Sequence, residues 1–377
     1  MTRSRYLLFF LFFLGCIEPY EFVITDDTKT IVIEALISDK SFTETVAYPS
    51  DGRYFTVKLS VTSDVTNVRD VPITGALVRL ISESGNIWDY SAMTQIPGLY
   101  ELVDDEFYAE STDRYKLIVS VGEELYESEW EMLPTPVPPP MGNIAFNETE
   151  RQTFVVEANE RVIRTVKEIT TDIDLPENNS GDKLYYRWKF APTWIYKAPL
   201  SPGVTDPGYI CWATDGNYLN NYTLQADLSG GYKKSLFSLP TIRNERIFED
   251  LSVLITQYTM TANNFTFWEE MQAQAEGNSL IDQPPFNLAT NFTHVNGSKR
   301  VSGYFSVVRE DAKRWYFNKS ELSYAVENTL KADCLVYYGP PAPGCPIPSP
   351  PAACECKYCL AYSFGTTTNV EPAWWGR

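Results

Sequence analysis

Apolar residues recur at every second position in short segments of this sequence, and turn residues separate the segments. Tyr54-Phe-Thr-Val-Lys-Leu-Ser-Val61 alternates apolar with polar side chains, and Tyr115, Leu117, Val119 and Val121 fall on one face of another segment. Side chains of a strand point to opposite faces in turn, so this rhythm predicts half-buried β-strands rather than helices. Residues 30–37, 75–81, 87–90, 99–102 and 125–130 read the same way. Ser84-Gly-Asn86 and Pro97-Gly98 supply turns between them. Short strands at this spacing across residues 30–133 predict a small antiparallel β-sandwich.

The order Gly75-Ala-x-Val-x-Leu80, Gly98-x-Tyr100, Tyr115-x-Leu-x-Val119 resembles immunoglobulin-like and transthyretin-like sandwich modules, which serve mostly as scaffolds. Pro134-Thr-Pro-Val-Pro-Pro-Pro140 then predicts a stiff, extended linker, because proline fixes its own backbone angle. Residues 141–333 again read as strands, for example 153–157, 165–174, 183–190 and 301–308. One helix interrupts them: Phe265, Trp268, Met271 and Ala275 recur at helical spacing, with Gly277 as its C-terminal stop. The expected fold is therefore mainly β: a first sandwich, a larger β-rich domain with one inserted helix, and a disulfide-tied C-terminal segment at 334–377.

The N-terminus carries an address. Arg3 and Arg5 precede the apolar run Tyr6-Leu-Leu-Phe-Phe-Leu-Phe-Phe-Leu14, and Gly15-Cys16 follows at once. This is the order of a secretory signal, with an apolar stretch too short to cross a bilayer as a helix. Cysteine directly after the cleavage point resembles the lipobox of bacterial lipoproteins, in which the thiol is acylated. Residues 1–15 are thus read as signal peptide, Cys16 as the lipid attachment site and 16–29 as a tether. No other cofactor is expected.

Composition excludes several functions. The formal charge is −18 and becomes −20 once Arg3 and Arg5 are removed with the signal. Nucleic-acid phosphates require clustered Lys and Arg, so a nucleic-acid partner is not expected. His294 is the only histidine. It lies in Asn291-Phe-Thr-His-Val-Asn-Gly297, which reads as a surface loop, and no Gly-x-Ser-x-Gly elbow accompanies it. The acidic clusters Asp104-Asp-Glu106 and Glu269-Glu270 read as solvated faces rather than a catalytic pair or a calcium site. No catalytic residue and no metal ligand is assigned, and the chain is expected not to be an enzyme.

Beyond Cys16 stand Cys211, Cys334, Cys345, Cys354, Cys356 and Cys359. An even number in an exported chain points to disulfides. Cys354-Glu-Cys356-Lys-Tyr-Cys359 has a spacing that also suits zinc, but an oxidising compartment favours crosslinks. The pairing is not derivable from spacing. Cys211 is the one that ties the proline-rich tail back to the second domain. Trp374 and Trp375 call for burial or a partner.

Several stretches together resemble a family of Bacteroidota outer-membrane lipoproteins known as a domain of unknown function. They are Cys16-Ile-Glu-Pro-Tyr-Glu-Phe22, Ile31-Val-Ile-Glu-Ala-Leu-Ile-Ser-Asp39, Gly75-Ala-Leu-Val-Arg-Leu80, Gly277-Asn-Ser-Leu-Ile-Asp-Gln-Pro-Pro285 and Gly303-Tyr-Phe-Ser306. Members are often encoded beside TonB-dependent, SusC-like receptors. The resemblance implies a lipoprotein held at the outer membrane, facing the exterior, as accessory to a β-barrel receptor in substrate capture or complex structure. Glu18 and Glu21 resemble the surface-export signals of such lipoproteins. Two alternatives stand beside this expectation: a subunit of outer-membrane assembly or secretion machinery, and a surface glycan-binding protein or hydrolase.

Overall fold

The computed structural model describes residues 30–62, 71–157, 160–216, 218–219, 221–276, 289–338 and 355–376. The signal segment, Cys16, Glu18, Glu21, the 277–285 stretch, Cys345 and Cys354 lie outside the described residues.

The first eight strands are β1 (Ile31–Ser38), β2 (Phe55–Val61), β3 (Val71–Pro72), β4 (Leu77–Ser82), β5 (Ile87–Ala92), β6 (Leu99–Leu102), β7 (Tyr115–Val121) and β8 (Glu124–Ser128). A short helix, α1 (Phe42–Val46), follows β1 and starts on a capping box: Ser41 accepts from the Glu44 N–H, and the Glu44 carboxylate accepts from the Ser41 N–H. In β1 the burial alternates as its sequence demands, with Ile31, Ile33, Ala35 and Ile37 inward. Fully burying one such aliphatic side chain stabilises by about 1.5–3 kcal/mol.

Two further strands complete this sandwich, β16 (Phe292–His294) and β17 (Val301–Phe317). One layer runs β6-β2-β1-β17, with β3 on β2. The other runs β5-β4-β7-β8-β16, and β5 joins the layers by pairing with both β4 and β6. β1 and β17 pair in parallel, Ile31 opposite Val301 through Ser38 opposite Val308. The sandwich expected within 30–133 therefore draws β16 and half of β17 from the region assigned to 141–333. Parallel partners need a long crossover and leave no local turn signal, which is why pattern reading missed the pair.

The remaining strands are β9 (Ile144–Glu157), β10 (Glu160–Leu175), β11 (Leu184–Lys197), β12 (Ile210–Thr214), β13 (Thr223–Asp227), β14 (Tyr232–Pro240), β15 (Leu251–Met260) and β18 (Thr366–Thr368). β17 continues into this half, where Arg309–Phe317 pairs antiparallel with β15. The layer extends through β11 and β12 to β18, with β13 also on β11, and a second layer β14-β10-β9 faces it. Their shared core holds Trp188, Trp194, Phe317, Ile169, Ile173 and Leu239.

β17 is thus one continuous strand serving both cores. Phe305 and Val307 belong to the first core, Trp315 and Phe317 to the second. All are odd-numbered and share one face. The charged odd positions between them, Arg309, Asp311 and Lys313, are held by Pro134 and by Met141, which follows the proline segment. Arg309 Nε donates to the Pro134 carbonyl (2.9 Å), Met141 N donates to Asp311 Oδ2 (2.8 Å), and Lys313 Nζ donates to the Met141 carbonyl (2.6 Å). Leu133 is buried in the first core and Met141 in the second. Residues 134–140, expected as a stiff, extended linker, cross the strand that joins the two cores, and Pro134 accepts a hydrogen bond from it.

The even face of β17 looks the other way. Helix α2 (Ala262–Glu276) covers its first half: Phe267 packs on Tyr304 and Asn264 Oδ1 accepts from Ser306 Oγ (3.2 Å). Phe265 is buried as its spacing predicted.

Candidate functional site

Beside α2, the outer face of the β11–β15–β17 layer carries a row-by-row arrangement fixed by strand register. Arg187 lies opposite Tyr258, which lies opposite Glu310. Lys189 follows with Thr256 and Ala312, then Ala191 with Leu254 and Arg314. Three elements roof this face: α2 above Arg187, the 45–53 segment after α1, and Trp374 from the C-terminal stretch. Between the 45–53 segment and Trp374 remains a cleft of about 270 Å³, lined among others by Lys189, Thr256, Leu254, Tyr258, Arg314 and Trp374.

The cations here are treated unequally. Arg53 is ion-paired with Glu310, whose carboxylate is almost wholly enclosed, and its Nη2 also donates to Ser38 Oγ (3.2 Å). Burial works against the Arg53 charge, and Glu310 together with Tyr258 and Tyr48 more than offsets it, so its pKa stays raised. Arg314 stacks on Trp374 at 3.5 Å and donates to Ser252 Oγ (3.1 Å). Arg187 is 6% exposed and boxed by rings, with its guanidinium 3.6 Å from the Trp268 centroid and 5.2 Å from that of Tyr258. Its Nε has no hydrogen-bond partner, and burial pushes its pKa down to about 10.

Lys189 differs from all three. Its side chain opens to solvent inside the cleft while protein surrounds it on the other sides, and it has no ion-pair partner among the described residues. Burial first, and then the charges of Arg187 and Arg53, lower its pKa. The two carboxylates of the cleft are already engaged, Glu310 by Arg53 and Asp51 by the Trp374 Nε1–H (2.8 Å). The cleft therefore offers one uncommitted ammonium above a wall of Ala191, Leu254 and Trp374.

The sequence-assigned residues fall elsewhere. Cys211 is bonded to Cys359 and Cys334 to Cys356, so Cys211 does tie the tail to the second core, and Cys356 and Cys359 are not available to a metal. Among the described residues no His, Cys, Asp and Glu group is arranged to hold a metal ion. Asp104 and Glu106 border an open 630 Å³ hollow with Trp88, Phe107 and Asp113. Asp104 Oδ1 accepts the N–H groups of Glu106 and Phe107 (both 3.0 Å), while Asp105 accepts from the Tyr54 hydroxyl. These bonds are local turn and packing contacts. Glu269 is exposed on α2, and Glu270 accepts from Ala289 N (2.8 Å).

His294, expected in a surface loop, lies on β16. It stacks on Tyr126 at 4.7 Å, and its Nδ1 accepts from Lys299 N (3.0 Å). A three-residue strand is too short to show alternation, which explains the miss. Trp375 is buried against Trp212 and Tyr316. Sequence reading also missed Arg187 and Lys189. Their only signal was that three cations, Lys183, Arg187 and Lys189, occupy outward positions of 183–190, a pattern that ordinarily marks a solvated face.

Fold and cleft together define a disulfide-tied protein of two β-sandwiches sharing one strand, with an open cationic cleft on the common sheet. The chain belongs to the family described as a domain of unknown function, DUF4249, which it matches over residues 17–314. No curated protein matches it. Among solved structures, a DUF4785 family protein from Legionella pneumophila matches at 10% identity and a TM-score of 0.15. That match covers 60% of this chain and 52% of the other, so this chain spans about half the length of that protein.

Proposed function

We propose that this chain is a non-enzymatic lipoprotein, anchored through acylated Cys16 in the outer membrane and facing the cell exterior. It acts there as an accessory subunit of a TonB-dependent, SusC-like β-barrel receptor, in substrate capture or complex structure. One observation carries the reading: the basic start, apolar run and Gly15-Cys16 stand immediately ahead of the family region, which begins at residue 17. The two disulfides fit an exported chain, since such bonds persist outside the reducing cytosol. The acidic surface disfavours adsorption to anionic lipid, which leaves acyl chains and a protein partner as the means of attachment.

Replacing Cys16 with Ala tests the anchor. Labelled palmitate incorporates into the parent and not into the variant, and the variant leaves the membrane fraction. Protease added to intact cells degrades the parent. Retention of the variant in washed membranes, or full protection from protease, would count against the reading.

A further inference from the structure

We propose that the cleft over Lys189 binds a small organic anion, a carboxylate attached to a short apolar or aromatic body. Three features of the cleft specify this chemistry. Lys189 is a cation facing the opening with no ion-pair partner among the described residues, in a chain whose formal charge is −18. An isolated ammonium partly withdrawn from water is costly, and a bound carboxylate relieves that cost through a charge-assisted hydrogen bond. Behind it Arg187 adds a second positive charge with no ion-pair partner among the described residues, its guanidinium boxed by Trp268 and Tyr258.

The surrounding wall selects the rest of the ligand. Leu254, Ala191 and the Trp374 ring give an apolar surface beside the ammonium. A fully hydrated inorganic anion would gain nothing from that surface, whereas a carboxylate with a hydrocarbon or aryl body would bury it there. A volume of about 270 Å³ limits the body to roughly a single ring or a short chain. The pairing Arg53–Glu310 closes one end and holds the 45–53 segment in place, so the shape exists before the ligand arrives. A preformed pocket loses little ordering entropy on binding. The inference gives the capture role a ligand class and rests on that role only for its biological purpose.

The test uses the full chain in detergent, with fluorine NMR of 4-fluorobenzoate against a detergent blank. Saturable binding is expected, about tenfold weaker for the uncharged 4-fluorobenzamide, because a hydrogen bond to a charged group is lost. Lys189→Met weakens 4-fluorobenzoate binding by a similar factor, and Lys189→Arg restores it. Ala191→Leu, which fills the cleft and leaves the ammonium in place, also abolishes binding and guards against a folding artefact at Lys189. Equal binding of the amide, parent-like binding by Lys189→Met, or no saturable binding by the parent would overturn the proposal. None of these outcomes bears on the Cys16 anchor or the barrel partner.

Discussion

Replacing Gly303 with Ala probes the parallel β1–β17 pair on which the shared-strand architecture depends. Gly303 has φ +99° and lies opposite Ile33, and a Cβ built on it falls 2.1 Å from the Ile33 carbonyl oxygen. Gly85 provides a matched control, since its φ is +97° and nothing lies within 4 Å of its Cβ position. The left-handed conformation costs a non-glycine residue about 1–2 kcal/mol, and both sites share that term. At Gly303 the contact must also widen by about 1 Å to reach ordinary Cβ distances, which pulls ladder hydrogen bonds apart in a buried strand pair. A lost or unsatisfied buried bond costs about 1–3 kcal/mol. The expectation is therefore about 3–5 kcal/mol for Gly303→Ala against about 1–2 kcal/mol for Gly85→Ala.

Urea melts followed by tryptophan fluorescence and by far-UV circular dichroism read both values. Most buried tryptophans, Trp188, Trp194 and Trp315, lie in the second core. Because β17 is common to both cores, Gly303→Ala shifts the tryptophan transition as much as the dichroism transition. Equal costs at Gly303 and Gly85, or a second core whose transition ignores the substitution, would refute the pairing.

Other expectations follow from the same packing. Cys211→Ser with Cys359→Ser removes a crosslink spanning 148 residues, and the chain-entropy relation places the loss of unfolding free energy at about 5 kcal/mol; a shift under about 1 kcal/mol in the same melts would contradict it. Arg53→Ala strands the enclosed Glu310 carboxylate and is expected to cost about 3–5 kcal/mol, while Arg53→Met with Glu310→Leu together cost less than Arg53→Ala alone. Lys189 has a pKa below that of an unfolded lysine, so the unfolded chain binds more protons between the two values and stability rises with pH across that window. Lys189→Met is thus expected to melt above the parent at pH 7, with the difference shrinking as pH approaches the unfolded lysine value of about 10.4; a lower melting temperature at pH 7 would contradict this.

Much of the fold was legible because its signals are local. The alternation in 54–61 and 115–121 became β2 and β7, and the spacing of Phe265 and Trp268 became α2. The parallel partner of β1 was not legible, since Ile33 meets Gly303 across most of the chain and no turn links them. Pro134–Pro140 read as a spacer because composition reports backbone stiffness and not what the backbone packs against. The bonds of Pro134 to Arg309, and of the adjoining Met141 to Asp311 and Lys313, exist only once both sandwiches have formed. The cleft was hidden for a related reason. Lys189 is set apart from an ordinary strand lysine by the 45–53 segment and Trp374, which distant parts of the sequence bring to one face.

Affinity purification of the tagged full chain from gently solubilised outer membranes tests the central functional claim most directly. The account predicts that one TonB-dependent β-barrel comes with it in near-stoichiometric amount, and that Cys16→Ala, which cannot be acylated, recovers less of that barrel. Recovery of the lipidated chain alone, with no barrel above background, would contradict it.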